Sequence, residues 1–162
     1  PRCMLTERRA MLGLRIFLVV MFGVLVVMET LSLPGQFRYM AEEHPENAEL
    51  RWPLTAASVF LVICVQVVIV AIWKLLRRVE RDRIFSPESF AWVDAIVWAV
   101  AAAWTVLVGL CVLVAFQADD PGGPLALFLL TVGVTVVGLL MVVMRALLRQ
   151  ATALRTDLEA VI

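Results

Sequence analysis

Four long stretches of the chain consist almost wholly of apolar residues. Three of them contain no charged side chain: residues 53–73, 95–116 and 124–144. The fourth, residues 14–33, contains only Arg15 and Glu29, one near each end. A helix needs about 20 apolar residues to cross the hydrocarbon core of a bilayer, and continuous apolar runs are typical of spanning helices rather than of membrane barrel strands. The pattern therefore predicts an all-α protein with four transmembrane helices.

The first stretch has a shorter uncharged centre, residues 16–28, which would also suit the apolar region of a cleaved signal peptide. The residues that follow, Leu-Ser-Leu-Pro at 31–34, do not resemble the small-residue site that signal cleavage requires. A spanning helix is expected instead, with the long side chain of Arg15 reaching the membrane interface.

Charged residues between the spans predict the orientation. Twelve basic residues fall on one side: Arg2, Arg8, Arg9, Arg15, Lys74, Arg77, Arg78, Arg81, Arg83, Arg145, Arg149 and Arg155. The other side has only Arg38 and Arg51. Lys and Arg accumulate in cytoplasmic loops, so both termini are expected in the cytoplasm. Short connections then predict an antiparallel up-down four-helix bundle, a single membrane domain over residues 1–162.

Composition agrees with a membrane protein and excludes other classes. The chain is 62% hydrophobic and 17% charged, against roughly 25% charged in soluble domains. Its mean hydropathy is +0.94. Because 14 Lys and Arg balance 14 Asp and Glu, no direct nucleic-acid binding is expected. Three scattered cysteines, at positions 3, 64 and 111, exclude a disulfide scaffold.

The connections between the spans carry further local signals. Residues 34–52 open with Pro-Gly and predict an outward loop, and residues 117–123 contain the tight-turn sequence Asp-Asp-Pro-Gly-Gly. On the cytoplasmic side, residues 73–83 are expected to prolong the second helix. Ser86 suits the N-cap of the next helix, and Pro87 suits its first position.

The tail after the fourth span, residues 145–162, has apolar residues at helical spacing. These residues form one stripe: Leu147, Ala151, Leu154, Leu158 and Val161. The spacing predicts an amphipathic helix that continues the fourth span about 27 Å past the membrane. The stripe could pack against residues 73–90 of the same chain, dock a protein partner or a second copy, or lie along anionic lipid.

Five polar residues within or beside the spans are candidates for function: Glu29, Gln66, Asp94, Thr105 and Thr135. Ionisable groups in a bilayer are costly and often functional. Glu29 is expected about one turn inside the outward face, paired with Arg38, Arg51 or water, with a proton or cation site as the alternative.

Asp94 is expected to form an ion pair with Arg15, Arg145 or Lys74. Gln66 is expected to hydrogen-bond to Thr105 or Thr135. Two faces of small residues predict close helix approach. They are Ala101, Thr105 and Gly109 in the third span, and Thr131, Thr135 and Gly138 in the fourth.

Signatures of catalysis are absent from the sequence. No CxxC, phosphate-binding glycine loop, HExxH or GxSxG motif occurs. His44, the only histidine, lies beside Glu42, Glu43 and Glu46 and could bind a divalent cation, but a lone histidine in an acidic loop is more often solvated. The expectation is a protein without enzymatic activity, metal or cofactor.

Three segments carry a resemblance to a known family. Ile-Phe-Ser-Pro-Glu at 84–88 precedes the third span, while Leu-Arg-Gln-Ala at 148–151 and Leu-Arg-Thr-Asp-Leu at 154–158 follow the fourth. Together with the four spans, they resemble the YoaS-like family of small four-span bacterial membrane proteins, a domain of unknown function. The resemblance implies no catalytic residues. It implies a small Cro/CI-like helix-turn-helix regulator as a partner, because members are often encoded beside one.

The function expected from the sequence is a non-enzymatic membrane interaction module. Its basic face and amphipathic tail would bind a cytoplasmic protein, and the same tail suits a homo-oligomer; membrane lipid surrounds the spans. One alternative is an accessory structural subunit of a larger membrane assembly such as a respiratory complex. Another is a small ion or proton conductor that uses Glu29 and Asp94.

Overall fold

The computed structural model describes residues 2–43, 45–81 and 86–161, and every regular element within these ranges is helical. In chain order the elements are α1 (Arg2–Val27), a π-helical turn (Met28–Ser32), α2 (Leu33–Glu43), a 3-10 turn (Pro45–Leu50), α3 (Arg51–Glu80), α4 (Pro87–Gln117) and α5 (Gly122–Val161). The all-α prediction is confirmed for this part of the chain.

Four helical stretches in the described ranges are long and apolar enough to cross a membrane: Cys3–Met40, Trp52–Glu80, Pro87–Gln117 and Gly122–Val161. Each contains one of the four predicted spans, which confirms their number and indicates a multi-pass membrane protein. Each stretch also extends beyond its predicted span, because the helix continues after the apolar run has ended.

The predicted outward loop over residues 34–52 is wrong for most of its length, because α2 continues the first helix to Glu43. Pro34 lies in the first turn of α2, where a missing N–H costs little. The π-helical turn precedes it, and there the N–H of Leu33 donates to the carbonyl of Met28, five residues back. Arg38 pairs with Glu42 at 3.2 Å, an i,i+4 contact that supports the helix.

The chain forms two compact units, Pro1–Leu76 and Arg77–Ile162. In the first unit, α1 and α3 run antiparallel and meet through polar and aromatic contacts. Arg15 contacts Trp73 at one level, and Glu29 contacts Gln66 further along. Leu18 and Ile69 are buried between these levels.

In the second unit, α4 and α5 form an antiparallel hairpin. The turn between them occupies residues 118–121, which confirms the tight return predicted there. Three cross-helix contacts define the register: Asp94 with Arg145, Val100 with Gly138, and Trp104 with Thr135. The first and last contacts are ten residues apart in α4 and also ten residues apart in α5. The two antiparallel helices therefore keep a constant register along this length.

Candidate functional site

The apolar stripe after the fourth predicted span lies on α5, which continues without interruption to Val161. Its five residues are all exposed, and its four large side chains range from 53% exposed for Leu147 to 85% for Val161. Another side of α5 packs on α4, where Gly138, Arg145 and Leu148 are partly buried. The stripe is therefore a separate face of the helix that the second unit leaves uncovered.

This exposure bears on one of the interpretations that the sequence left open, packing on the same chain. Packing on the same chain would bury the stripe against residues 77–81 and 86–90, the described part of residues 73–90 in this unit. The stripe is not buried there, so that interpretation is wrong for this part of the segment. The reason is that α4 already contacts a different side of α5, through Asp94 and Val100.

Charged residues flank the stripe on α5. Arg149 and Asp157 are exposed, and Arg155 pairs with Glu159 at 3.5 Å across one helical turn. Exposed charges beside an apolar stripe are typical of a helix with one apolar and one polar face.

A polar cluster forms where the connection between α3 and α4 ends. Arg78 donates to the hydroxyl of Ser86 at 3.1 Å and pairs with Glu88 at 2.8 Å. The hydroxyls of Ser86 and the fully buried Ser89 lie 3.2 Å apart. Ser86 occupies the predicted N-cap position with Pro87 next, but its side chain does not cap the helix backbone. The hydroxyl bonds to Arg78 instead, and this contact ties the end of α3 to the start of α4.

The predicted ion pair of Asp94 is present, and its partner is Arg145, one of the three cations that the sequence offered. The Nε atom of Arg145 lies 2.7 Å from a carboxylate oxygen of Asp94, and both side chains are about two-thirds buried. Each residue neutralises the other at the level where the fourth predicted span ends. The pair therefore joins α4 and α5 at the base of the tail.

The two candidate threonines have roles within the hairpin. Thr105 donates to the carbonyl of Ala101 in its own helix, at 2.9 Å. Thr135 donates to the carbonyl of Thr131 and accepts the indole N–H of Trp104, each at 2.8 Å. Thr135 thus uses its hydroxyl both as donor and as acceptor, and the second bond links the helices.

In the second unit, the small-residue face of α5 lies close to α4. A Cβ atom at Gly138 would lie 3.2 Å from a methyl carbon of Val100, so α4 and α5 are tightly apposed there. Ala101, Thr105 and Gly109 are exposed in the second unit, so close approach at this face stays a prediction. One glycine is enough for the two backbones to approach, so α4 can present a branched side chain to it.

Glu29 has a different partner from those expected. The amide of Gln66 donates to its carboxylate at 3.1 Å, whereas we expected Gln66 to bond to Thr105 or Thr135. Arg38, an expected partner of Glu29, pairs with Glu42. Gln66 lies about 20 Å along the helix from Pro53 and about 10 Å from Trp73, so the carboxylate is well inside the apolar part of α3.

The backbone around Glu29 is also unusual. The residue lies in the π-helical turn Met28–Ser32. This conformation is rare in proteins as a whole, but where it occurs it is often at a functional site. The hydroxyl of Thr30 in the same turn donates a hydrogen bond to the carbonyl of Val26 at 2.9 Å. No periodicity in the sequence predicts this turn. The one local signal is Pro34 after it, which has no backbone N–H to donate to the regular α-helical pattern.

A contact that sequence reasoning missed lies near the middle of α1. The guanidinium carbon of Arg15 lies 5.6 Å from the centroid of the Trp73 ring, within the range of a cation–π interaction. Beside it, α1 and α3 form an apolar groove. Its lining residues are Leu18, Val19, Phe22, Ile69, Val70 and Trp73. Arg15 and Trp73 lie at matching ends of the first two predicted spans, and that coincidence was the available signal.

The described helices and their few intramembrane polar contacts define a multi-pass helical membrane protein. A family model described as a protein of unknown function (DUF2975) matches residues 35–162, well over half of the chain. The chain belongs to this family, which agrees with the expectation of an uncharacterised family. No curated protein and no solved structure matches the chain.

His44, considered above as a metal ligand, and residues 82–85 of the cytoplasmic connection lie outside the described residues.

Proposed function

We propose that the chain is a non-enzymatic membrane interaction module that binds a soluble cytoplasmic protein. The observation that carries the proposal is the stripe of five exposed apolar residues on α5. Apolar side chains that face water on a regular helical spacing are the usual form in which a helix is recognised by a groove on another protein. Along the span itself lipid can cover such a face, but lipid does not cover a helix that has left the bilayer.

The distribution of basic residues supports the side of the membrane that carries the tail as the side on which a partner binds. The basic residues of the N-terminal segment, of the connection between α3 and α4, and of the tail would all face the cytoplasm by the positive-inside rule. The tail would thus project from a basic membrane face. An acidic surface around the partner's groove would complement that face and speed encounter.

The resemblance to the YoaS-like family suggests which class of partner to test. Its segments at 148–151 and 154–158 fall on the tail, and 154–158 contains two residues of the stripe, Leu154 and Leu158. A small helix-turn-helix regulator, tethered to the membrane through the tail, is the partner that this resemblance implies.

Co-purification with a stripe variant tests the proposal. Leu154→Glu with Leu158→Glu places two charges on the stripe, and we expect recovery of the cytoplasmic partner to fall at least tenfold, since a buried unpaired charge costs well over about 1.4 kcal/mol. The matched control is Ala153→Glu with Ala160→Glu, two exposed residues off the stripe in the same helix. The control should recover the partner as the unchanged protein does.

Both variants must insert in the membrane at equal levels for the comparison to hold, which detergent extraction of the membrane fraction measures. Equal recovery by the two variants would contradict docking on the stripe. A fixed place of the unchanged protein in a particle of several hundred kilodaltons would favour the accessory-subunit alternative instead.

A further inference from the structure

We propose that the groove between α1 and α3 binds one anionic phospholipid from the leaflet next to the arginine-rich side of the membrane. Its acyl chain would lie along the groove, and its phosphate would lie beside Arg15. The site is in the first unit, separate from the tail stripe in the second.

The groove itself suits a hydrocarbon chain. All six lining residues are apolar, and the volume is about 210 Å³. Leu18 and Ile69 form a buried floor, at 5% and 4% exposed, while Val19 and Val70 stand more exposed at its sides. Water, which needs about 30 Å³ and two or more polar partners, gains nothing in such a groove. An acyl chain gains contact on several sides.

A positive charge lies at one end of the groove only. Trp73 is a lining residue, and the guanidinium of Arg15 lies over its ring. A planar guanidinium stacked on a ring face has N–H groups along its edge, and this edge geometry suits a phosphate. Lys74 and Arg8 are exposed nearby in sequence, and Arg8 precedes Arg15 by seven residues on the same side of α1. An anionic headgroup complements this charge, whereas a neutral amphiphile does not.

The dimensions match one leaflet. Arg15 and Phe22 are seven residues apart, so the groove extends about 10 Å from the charged end. Half of a hydrocarbon core is about 15 Å thick. A groove of this length, with its cation at the headgroup level, reproduces the layout of one phospholipid. A partner helix would instead need contacts over the whole thickness of the membrane. Basic sites between helices on the cytoplasmic side are a known form of lipid recognition.

Native mass spectrometry of the full chain in mild detergent tests the proposal. The probes are phosphatidylglycerol and phosphatidylcholine with identical acyl chains. We expect one retained phosphatidylglycerol per chain and a preference over phosphatidylcholine that falls about fivefold in Arg15→Gln, the effect of one basic residue near an anionic headgroup. Arg9→Gln removes the same charge from an exposed position on another side of α1 and should retain the preference.

A second variant tests the acyl chain independently of the charge. Val70→Trp fills the groove from its exposed side and should lower retention of both lipids. Inorganic phosphate, which has the charge without the chain, should not displace the bound lipid. Equal retention of the two lipids by the unchanged protein, equal effects of Arg15→Gln and Arg9→Gln, or full retention by Val70→Trp would each overturn the proposal.

Discussion

Glu29 shows how an acidic side chain is accommodated inside an apolar helix. Its distance from the end of the apolar run placed it near the membrane surface, but its contact with Gln66 places the carboxylate about 10 Å or more from either end of the second predicted span. The end of the first apolar run did not reveal this contact, because it depends on which residue of α3 lies opposite Glu29. Asp94 could be predicted, because Arg145 lies at the matching end of the adjacent span.

The hydrogen bond between Gln66 and Glu29 gives a prediction at this scale. Gln66→Leu removes the donor, and the stranded carboxylate should lower the free energy of unfolding by about 1–3 kcal/mol. Glu29→Gln keeps an acceptor for the amide and should cost about 0.6 kcal/mol or less. Thermal unfolding in detergent measures both.

The double variant Glu29→Leu with Gln66→Leu is the internal control. Replacing both partners by apolar groups leaves no polar atom stranded, so the double variant should be more stable than Gln66→Leu alone. A double variant less stable than the single one would show that the bond does not account for the position of these residues.

The hairpin of α4 and α5 shows which element-scale features a sequence reveals. The length of the uninterrupted apolar runs predicted both helices, and Asp-Asp-Pro-Gly-Gly predicted their turn. The sequence could not show which face of each helix contacts the other. Nearly every residue of a membrane helix is apolar, so no periodic pattern of apolar residues marks the contact face. Gly138 lies close to Val100, as predicted for its face, whereas close approach at the face of Ala101 and Gly109 stays a prediction.

Two glycines of α5 test this packing. Gly138→Leu would place a side chain where Val100 lies 3.2 Å from the Cβ position, and we expect it to lower the free energy of unfolding by about 1–3 kcal/mol. At Gly133, where nothing lies within 4 Å, the same substitution meets open space and should cost nothing.

Thermal unfolding of the two leucine variants, side by side, measures the difference. Val100→Ala added to Gly138→Leu should restore part of the stability by making room. If Gly133→Leu were as destabilising as Gly138→Leu, the contact between α4 and α5 would not explain the effect.

At the scale of the whole molecule, the distribution of arginine predicts which side of the membrane the tail faces, and the proposed function depends on that side. Four apolar stretches predicted four membrane-crossing helices, and the structure has four that qualify within the described residues. The identity of a partner could not be predicted, because an apolar stripe specifies the shape of a complement and not its source. The groove beside Arg15 was missed for a related reason: it arises from two helices whose contact no local pattern encodes.

The orientation of the tail is the claim on which the interaction proposal depends. Reporters fused after Ile162 measure it directly: green fluorescent protein, which is fluorescent in the cytoplasm, and alkaline phosphatase, which is active in the periplasm. We expect fluorescence without phosphatase activity, with the opposite result for the same reporters inserted after Asp119, in the turn between α4 and α5. Phosphatase activity after Ile162 would place the stripe outside the cytoplasm and contradict the account.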